Sequence, residues 1–393
     1  MRKIVFYCQH VLGIGHLVRS TEIIRALAGR FSVCLVSGGA DVDGFQYPAG
    51  VEVVKLPALQ TDADFAELQT CSGDDLEQVK EARKSLLLSV LRDCEPDAFI
   101  VELFPFGRKR FGFELLPALD YLKNSGGDTK VICSLRDILV SKQDQGQHEE
   151  RVCRVVNRYF DLVLVHGDPR FQKLDETFSR VADLQCPVEY TGYVVQRNTT
   201  TVAPAHPPDH PFIVVSIGSG RYRSGHQLIE SIIEAAAILQ REIPHRILIF
   251  GGPFMPEDTY ARLAQLAQRQ PNICFERYSA DLLSLMEAAA LSVSMGGYNT
   301  LMNVLTTGVK AVVFPYTTNG DQEQNMRAEK LEQLGLLDVL HPEDLNARAL
   351  AEKILRALDR TPARFSFAFD GAEQTAQLLE AVLPQNQPAT VAP

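Results

Sequence analysis

The chain has 393 residues, too many for one ordinary core, and its length suggests two or three domains. Hydrophobic residues make up 46%, which argues against general disorder. A formal charge of −10 argues against a nucleic-acid surface, which needs a dense basic face, although backbone amides and a few arginines can still hold a diphosphate. None of the eight cysteines forms a CxxC pair, and Cys8, Cys34, Cys133 and Cys274 fall in expected strands. The expectation is small apolar core residues in a reducing compartment, with no metal or disulfide set. The opening run Met1–Cys8 reads as a strand, too short for a signal peptide, and no run approaches the ~20 apolar residues of a membrane span. The cytoplasm is the expected location.

In chain order, apolar runs at Lys3–Cys8, Phe31–Ser37, Val51–Leu56, Ala98–Glu102, Lys130–Leu135 and Asp161–His166 read as buried parallel strands. Helical patterns lie at His16–Ala28, Asp74–Arg92, Phe113–Lys123 and His148–Tyr159. Strict alternation implies a doubly wound α/β sheet with right-handed crossovers. Residues 198–211 are polar and proline-rich, and read as a linker. Alternation then resumes, with strands at Phe212–Ile217, Arg246–Phe250, Asn272–Phe275, Leu291–Ser294 and Lys310–Phe314. Helices are expected near Gln227–Gln240, Glu257–Gln268, Ala280–Ala289, Asn299–Thr306 and Gln322–Leu334, then at Leu345–Leu358 and Ala372–Val382. The domains expected are 1–197 and 212–365, followed by a last helical segment at 366–384 and a frayed tail at 385–393. No internal repeat has a solenoid period.

In open α/β sheets ligands sit beyond the carboxyl ends of the strands. By that rule His10, His16, Glu102, Arg136, Asp137 and His166 of the first domain, and Gly218-Ser219-Gly220-Arg221 and Gly251-Gly252 of the second, are expected to face one cleft. The stretch Ser292–Asn303 ends a strand in two glycines and starts a helix at once. Gly296 and Gly297 would let the backbone turn sharply and approach a ligand, while Tyr298, Asn299 and Thr300 present N–H groups at a helix N-terminus that favours phosphate. One crossover later, Asp321, Gln322 and Asn325 offer donors and acceptors to sugar hydroxyls. A diphosphate cradle followed by a hydroxyl-reading loop describes a nucleotide-sugar site. The Gly218–Arg221 turn supplies further amides and a positive charge.

The pattern Gly-Gly-x-Asn-Thr followed by Pro…Asp-Gln resembles the donor half of GT-B glycosyltransferases, and Gly13-Ile-Gly15-His16-Leu-Val-Arg19 is similar to the MurG-like branch. That branch includes a group of uncharacterised predicted glycosyltransferases. The resemblance covers most of the chain. It implies two Rossmann-like domains, the first on the acceptor side and the second nucleotide-sugar-binding, with the last helix crossing back onto the first domain. It also implies metal-independent, inverting transfer from a nucleotide diphosphate sugar, UDP the first choice, to a small or lipid-linked hydroxyl acceptor. No cofactor is expected, and a peripheral membrane contact is left open. The alternatives are hydrolysis of the nucleotide sugar on the same fold, as in the MurG-like hydrolase of pseudaminic acid synthesis, and a non-catalytic donor-binding subunit.

The general base is expected at His16, at a helix start whose positive end would lower the imidazole pKa, with Glu102 or Asp137 orienting it. Arg19, one turn on, either reaches the donor or is solvated. The donor set is completed by Gly15, Tyr278 and Asn303, the last standing where related transferases place a ribose-binding glutamate. His10, Arg108 and Arg136 are candidate acceptor contacts. No Asp-x-Asp motif is placed to chelate a metal; Asp41-Val-Asp43 lies in a first-domain loop.

Overall fold

The computed structural model describes residues 1–10, 14–42, 45–61, 68–71, 73–140, 143–196, 211–279, 281–315 and 322–384. Gly13, Asp43, Asp321, the linker residues 198–210 and the tail at 385–393 lie outside them. The chain divides into two compact units, Met1–Val195 with Phe367–Pro393, and Gln196–Ser366.

Unit 1 holds strands β1 (Lys3–Cys8), β2 (Ser32–Ser37), β3 (Glu52–Lys55), β4 (Leu59–Thr61), β5 (Leu68–Thr70), β6 (Ala98–Glu102), β7 (Lys130–Arg136), β8 (Leu162–His166) and β9 (Val188–Tyr190). Its helices are α1 (Gly15–Ala28), α2 (Leu76–Cys94), α3 (Gly112–Asn124) and α4 (Gln145–Tyr159). Seven strands form one parallel sheet in the order β3-β2-β1-β6-β7-β8-β9. The chain winds outward from β1 through β2 to β3, then returns to the other side of β1 at β6. The β1/β6 boundary is therefore the switch point, where loops diverge and leave room for a ligand. Central strands buried on both faces need continuous apolar runs, and Ile4–Cys8 and all of β6 are buried. The antiparallel hairpin β4–β5 and the edge strand β9 are additions to the sequence expectation; at three residues each they carry no periodic signal.

Unit 2 holds β10 (Phe212–Ser216), β11 (Arg246–Phe250), β12 (Ile273–Glu276), β13 (Leu291–Met295), β14 (Ala311–Phe314) and β15 (Asp338–Val339). Its helices are α5 (Arg223–Glu242), α6 (Glu257–Ala267), α7 (Leu282–Ala288), α8 (Tyr298–Thr307), α9 (Glu323–Gln333) and α10 (Ala347–Asp359). The sheet order β12-β11-β10-β13-β14-β15 repeats the logic of unit 1, with its switch point between β10 and β13.

The last helix, α11 (Gly371–Val382), belongs to unit 1. Ala376, Leu379 and Leu383 share one apolar cluster with Leu17, Ile23, Ile24 and Leu27 of α1. Arg30 pairs with Glu373 and with Glu380 (3.0 Å). Gly371 lies so close to the backbone of Gly192 and Tyr193 that a Cβ would not fit.

The cysteines depart from expectation at two positions. All eight are free, and Cys8, Cys34, Cys133 and Cys153 are buried, but Cys71 and Cys274 are exposed. Cys274 lies on the edge strand β12, along which half-buried and exposed residues alternate. Among the described residues no helix is long and apolar enough to cross a membrane.

One polar cluster in the core of unit 1 had no sequence expectation. Arg83 of α2 is fully buried and grips Glu114 of α3 with two nitrogens (2.9 and 2.6 Å). It also donates to Gly38 O (2.9 Å), Pro57 O (2.7 Å) and Gln9 Oε1 (2.7 Å), and Tyr7 donates its hydroxyl to Glu114. The guanidinium thus ties α2 and α3 to the loops that leave β1 and β2. Removing it strands a buried carboxylate, so Arg83→Ala is expected to destabilise unit 1 by about 3–5 kcal/mol. Arg83→Met combined with Glu114→Leu should recover most of that loss; urea denaturation of the three proteins checks both.

Candidate functional site

At the switch point of unit 1, β6 ends in Glu102, which is fully buried. His16, in the first turn of α1, brings Nδ1 to 2.6 Å from Glu102 Oε1, and Arg19, one turn on, donates to the same oxygen. Arg19 is 3% exposed, so it is neither solvated nor presented outward but held against Glu102. Glu102 Oε2 is buried and has no hydrogen-bond partner among the described residues. Burial pushes the Glu102 carboxyl up. Its interactions with His16 and Arg19, and the more distant charge of Arg108, outweigh it and hold the group below the ordinary carboxylate range.

Burial pushes His16 down to about 3, with Arg108 and Arg19 adding to the shift and the Glu102 charge opposing it. The helix terminus is therefore not the leading cause, in contrast to the sequence expectation. A neutral imidazole beside a carboxylate carries its proton on Nδ1 and donates it to Glu102, which leaves the Nε2 lone pair as acceptor. The side chain keeps 20% of its surface exposed.

Of the two candidate orienting carboxylates, Glu102 is the one that meets His16. Asp137, fully buried, accepts from the Tyr193 hydroxyl (3.0 Å) and from the amide of Ile138 (3.0 Å), and packs under Gly167. His166 bridges Ser134 Oγ and Thr191 Oγ1, both at 2.8 Å, and burial also pushes it down to about 3. His10 is buried against Gly39, and its Nε2 donates to Ala40 O (2.8 Å). Arg136 closes β7 half-buried, in register with His166. Asp41 pairs with Lys55 (2.6 Å).

Unit 2 builds its switch point mainly from backbone. Gly218, Gly220 and Gly252 adopt φ values of 69°, 80° and 90°, which glycine alone takes without strain. The turns after β10 and β11 nest together: Gly252 lies against Gly218–Gly220, Gly220 against Gly251, and Phe254 N donates to Ser219 O (2.9 Å). Arg221 lies exposed over the Phe254 ring at 4.6 Å.

After β13, Gly296 has little room for a side chain, because a Cβ would sit 3.1 Å from Pro315 Cα. Gly297 caps α8 at φ −63°, ψ 147°, a conformation any residue adopts, and no described heavy atom lies within 4 Å of its would-be Cβ. The sharp turn expected of these glycines is thus not their reason; Gly297 leaves an open approach to the helix end. The ladder of α8 begins with Leu301 N donating to Gly297 O (3.0 Å), so the N–H groups of Tyr298, Asn299 and Thr300 precede it. Asn303 is 5% exposed, donates to Gln196 Oε1 (3.3 Å), and its Oδ1 lacks a partner among the described residues. Asn325 donates to Gln322 Oε1 (3.1 Å), and Tyr278 is 57% exposed. Sequence reasoning missed the buried pair Glu323–Arg327 (3.0 Å), whose guanidinium lies 5.2 Å over the Tyr298 ring. The i,i+4 spacing of that pair was the available signal.

Two doubly wound units of this kind, one ending its central strands in ionisable side chains and the other in glycine turns before a helix N-terminus, have the architecture of the GT-B fold. Residues 212–379 match the Glycosyltransferase family 28 C-terminal domain. The chain is 24% identical to an uncharacterized glycosyltransferase of Methanopyrus kandleri over 63% of its own length and 70% of that protein's. It is also 24% identical to the UDP-N-acetylglucosamine--N-acetylmuramyl-(pentapeptide) pyrophosphoryl-undecaprenol N-acetylglucosamine transferase of Acetivibrio thermocellus, over 52% of this chain and only 54% of that enzyme. The fold matches the crystal structure of Acinetobacter baumannii MurG with a TM-score of 0.53 at 17% identity, covering 97% of this chain and 100% of that one. The second unit thus carries a family 28 glycosyltransferase C-terminal domain, and the chain is similar to the MurG-like GT-B glycosyltransferases.

The two histidines held near 3 give a sign to acid stability. Each stays neutral in the folded unit but protonates near 6.5 when unfolded, so their contribution is complete above about pH 6.5 and is lost as pH falls toward 3. Between pH 6 and 5 the unfolding free energy should fall by up to about 1.4 kcal/mol per pH unit for each histidine. Denaturation at stepped pH, repeated on His166→Asn, measures the slope and its partial removal.

Proposed function

We propose that this enzyme moves a sugar from a nucleotide diphosphate sugar to a hydroxyl of a small or lipid-linked acceptor, with inversion and without a metal. The observation that carries the reading is the neutral His16 held by Nδ1 against buried Glu102. In the reaction, Nε2 takes the acceptor's hydroxyl proton as that oxygen attacks the anomeric carbon and the bond to the diphosphate breaks. Glu102 stabilises the imidazolium as it forms. A single displacement of this kind inverts the anomeric centre.

The leaving diphosphate gains charge, and the N-terminus of α8, behind Gly297, offers N–H groups and a partial positive end to it. Arg221 adds a full charge on the neighbouring turn. These groups suit a mechanism in which protein donors balance the diphosphate. Similarity to a UDP-N-acetylglucosamine transferase supports UDP as the nucleotide. Asn303 Oδ1 suits a ribose hydroxyl, and Gln322 and Asn325, with Asp321, suit the sugar. Free cysteines suit a reducing compartment, and the cytoplasm is the proposed location.

Two variants test the reading. His16→Ala should lower kcat by ~10²–10⁴-fold while donor affinity and melting temperature stay near wild type. Near-normal single-turnover rates from the folded variant would place the base elsewhere. Gly297→Phe should abolish nucleotide binding with little change in melting temperature, because its side chain enters open space at the helix end. Unchanged UDP affinity by calorimetry would remove α8 from the donor site.

A further inference from the structure

In unit 2 an arginine and an aromatic ring meet across the two nested turns. Arg221 follows Gly218-Ser219-Gly220 after β10, and Phe254 follows Gly251-Gly252-Pro253 after β11. The Arg221 guanidinium lies over the Phe254 ring, 4.6 Å from its centroid. Neither turn is free to shift. Phe254 N donates to Ser219 O (2.9 Å), and His226 of α5 donates from Nε2 to Gly220 O (2.7 Å). On the far side, Gly251 N donates to Glu276 O (2.9 Å), Gly252 N to Arg277 O (2.8 Å) and Arg277 Nη1 to Met255 O (2.8 Å). The ring therefore stands on a braced loop, and the arginine leans on it from a braced turn.

A second arginine of the same region shows what is unusual about the first. Arg277 lies over the Tyr260 ring at 4.2 Å, but its N–H groups are taken by Glu257 (2.6 Å) and Met255 O. The exposed Arg221 side chain has its ring contact and, among the described residues, no hydrogen bond or ion pair. A ring face attracts a guanidinium without offering it an acceptor oxygen, so all five N–H donors stay available. An arginine loose in water must give up rotamer freedom to meet a ligand. One already resting on a ring gives up less.

We infer that Phe254 is a positioning residue, whose ring holds Arg221 ready for the diphosphate of the donor. This rests on the nucleotide-sugar reading above and adds to it a side chain that acts through Arg221. Arginine meets phosphate oxygens with two parallel hydrogen bonds, so the setting of the guanidinium plane decides whether both form. With the ring removed the charge remains, but its plane is no longer held. The effect of the ring on diphosphate binding must therefore vanish when the guanidinium is absent, which a packing role for Phe254 would not require.

The test is a double-mutant cycle on UDP affinity, by calorimetry of the full chain at constant ionic strength. The four proteins are wild type, Phe254→Leu, Arg221→Met and the double variant. Arg221→Met should weaken UDP by about tenfold, as the loss of charge-assisted hydrogen bonds predicts. Phe254→Leu should weaken it by about two- to fivefold where Arg221 is present. In the Arg221→Met background the same change should matter by less than about 1.5-fold. Phe254→Tyr keeps the ring face and should bind UDP like wild type. Uridine, which carries no phosphate, should bind all of them equally. Should Phe254→Leu fail to fold, Phe254→Met repeats the cycle at this half-buried position. An equal loss of UDP affinity in both Arg221 backgrounds, wild-type affinity in Phe254→Leu, or a parallel loss of uridine binding would overturn the inference. No UDP binding by wild type would overturn the nucleotide reading and this inference with it, whereas UDP binding with additive variants overturns this inference alone.

Discussion

A carboxylate taken wholly out of water at the end of β6 constrains everything around it. Glu102 stays ionised only if cations meet it, and Arg19 supplies the permanent one. His16 contributes a hydrogen bond but no lasting charge, since burial keeps its imidazole neutral. This division of labour matters for chemistry. Were Glu102 to rely on His16 for its counter-charge, the imidazole would be protonated and useless as a base. With Arg19 holding the carboxylate, His16 needs to donate only Nδ1–H, and Nε2 remains able to accept. Charge on Glu102 still favours the imidazolium once a proton arrives.

The two units solve the same topological problem with different materials. Each sheet reverses its winding beside its first strand, and each opens there. Unit 1 fills the opening with ionisable side chains that must be desolvated, paired and oriented. Unit 2 fills it with nested glycine turns and the end of α8, where amides present charge without a titratable group. A proton-transfer centre needs the first kind of site, because its pKa must be set by neighbours. A diphosphate cradle is served by the second, because amide dipoles are permanent and preorganised.

That difference also explains what was legible in the sequence. Parallel strands and their helices were readable because burial on both faces demands long apolar runs; only elements of two or three residues, such as β4, β5, β9 and β15, escaped. The glycines around α8 were visible because few residue types tolerate such backbones or approaches, although at Gly297 the cause is open space and not backbone angle. Side-chain partnerships were not legible. Glu102 and Asp137 both end strands, and only the fold shows that Asp137 is taken by Tyr193 while Glu102 meets His16. Arg19 reads equally as solvated or functional until its burial is known. Arg83 and Glu114 lie 31 residues apart on two helices, so no local spacing announces their pair.

The buried Arg83 of unit 1 shows how a fold braces its functional end from within. Arg83 has five N–H groups, and each finds an acceptor: two oxygens of Glu114, two backbone carbonyls and the Gln9 amide oxygen. Such a site is closed, and its charge serves only to hold α2, α3 and the loops after β1 and β2 in register. Those loops carry His10 and lead toward His16, so the same cluster braces the strand ends where the candidate site lies. Arg108 lies at the same end of the same sheet with its Nε buried and no bond made. Its backbone lies in the left-handed region, at φ 54°. The structural arginine is satisfied by the protein.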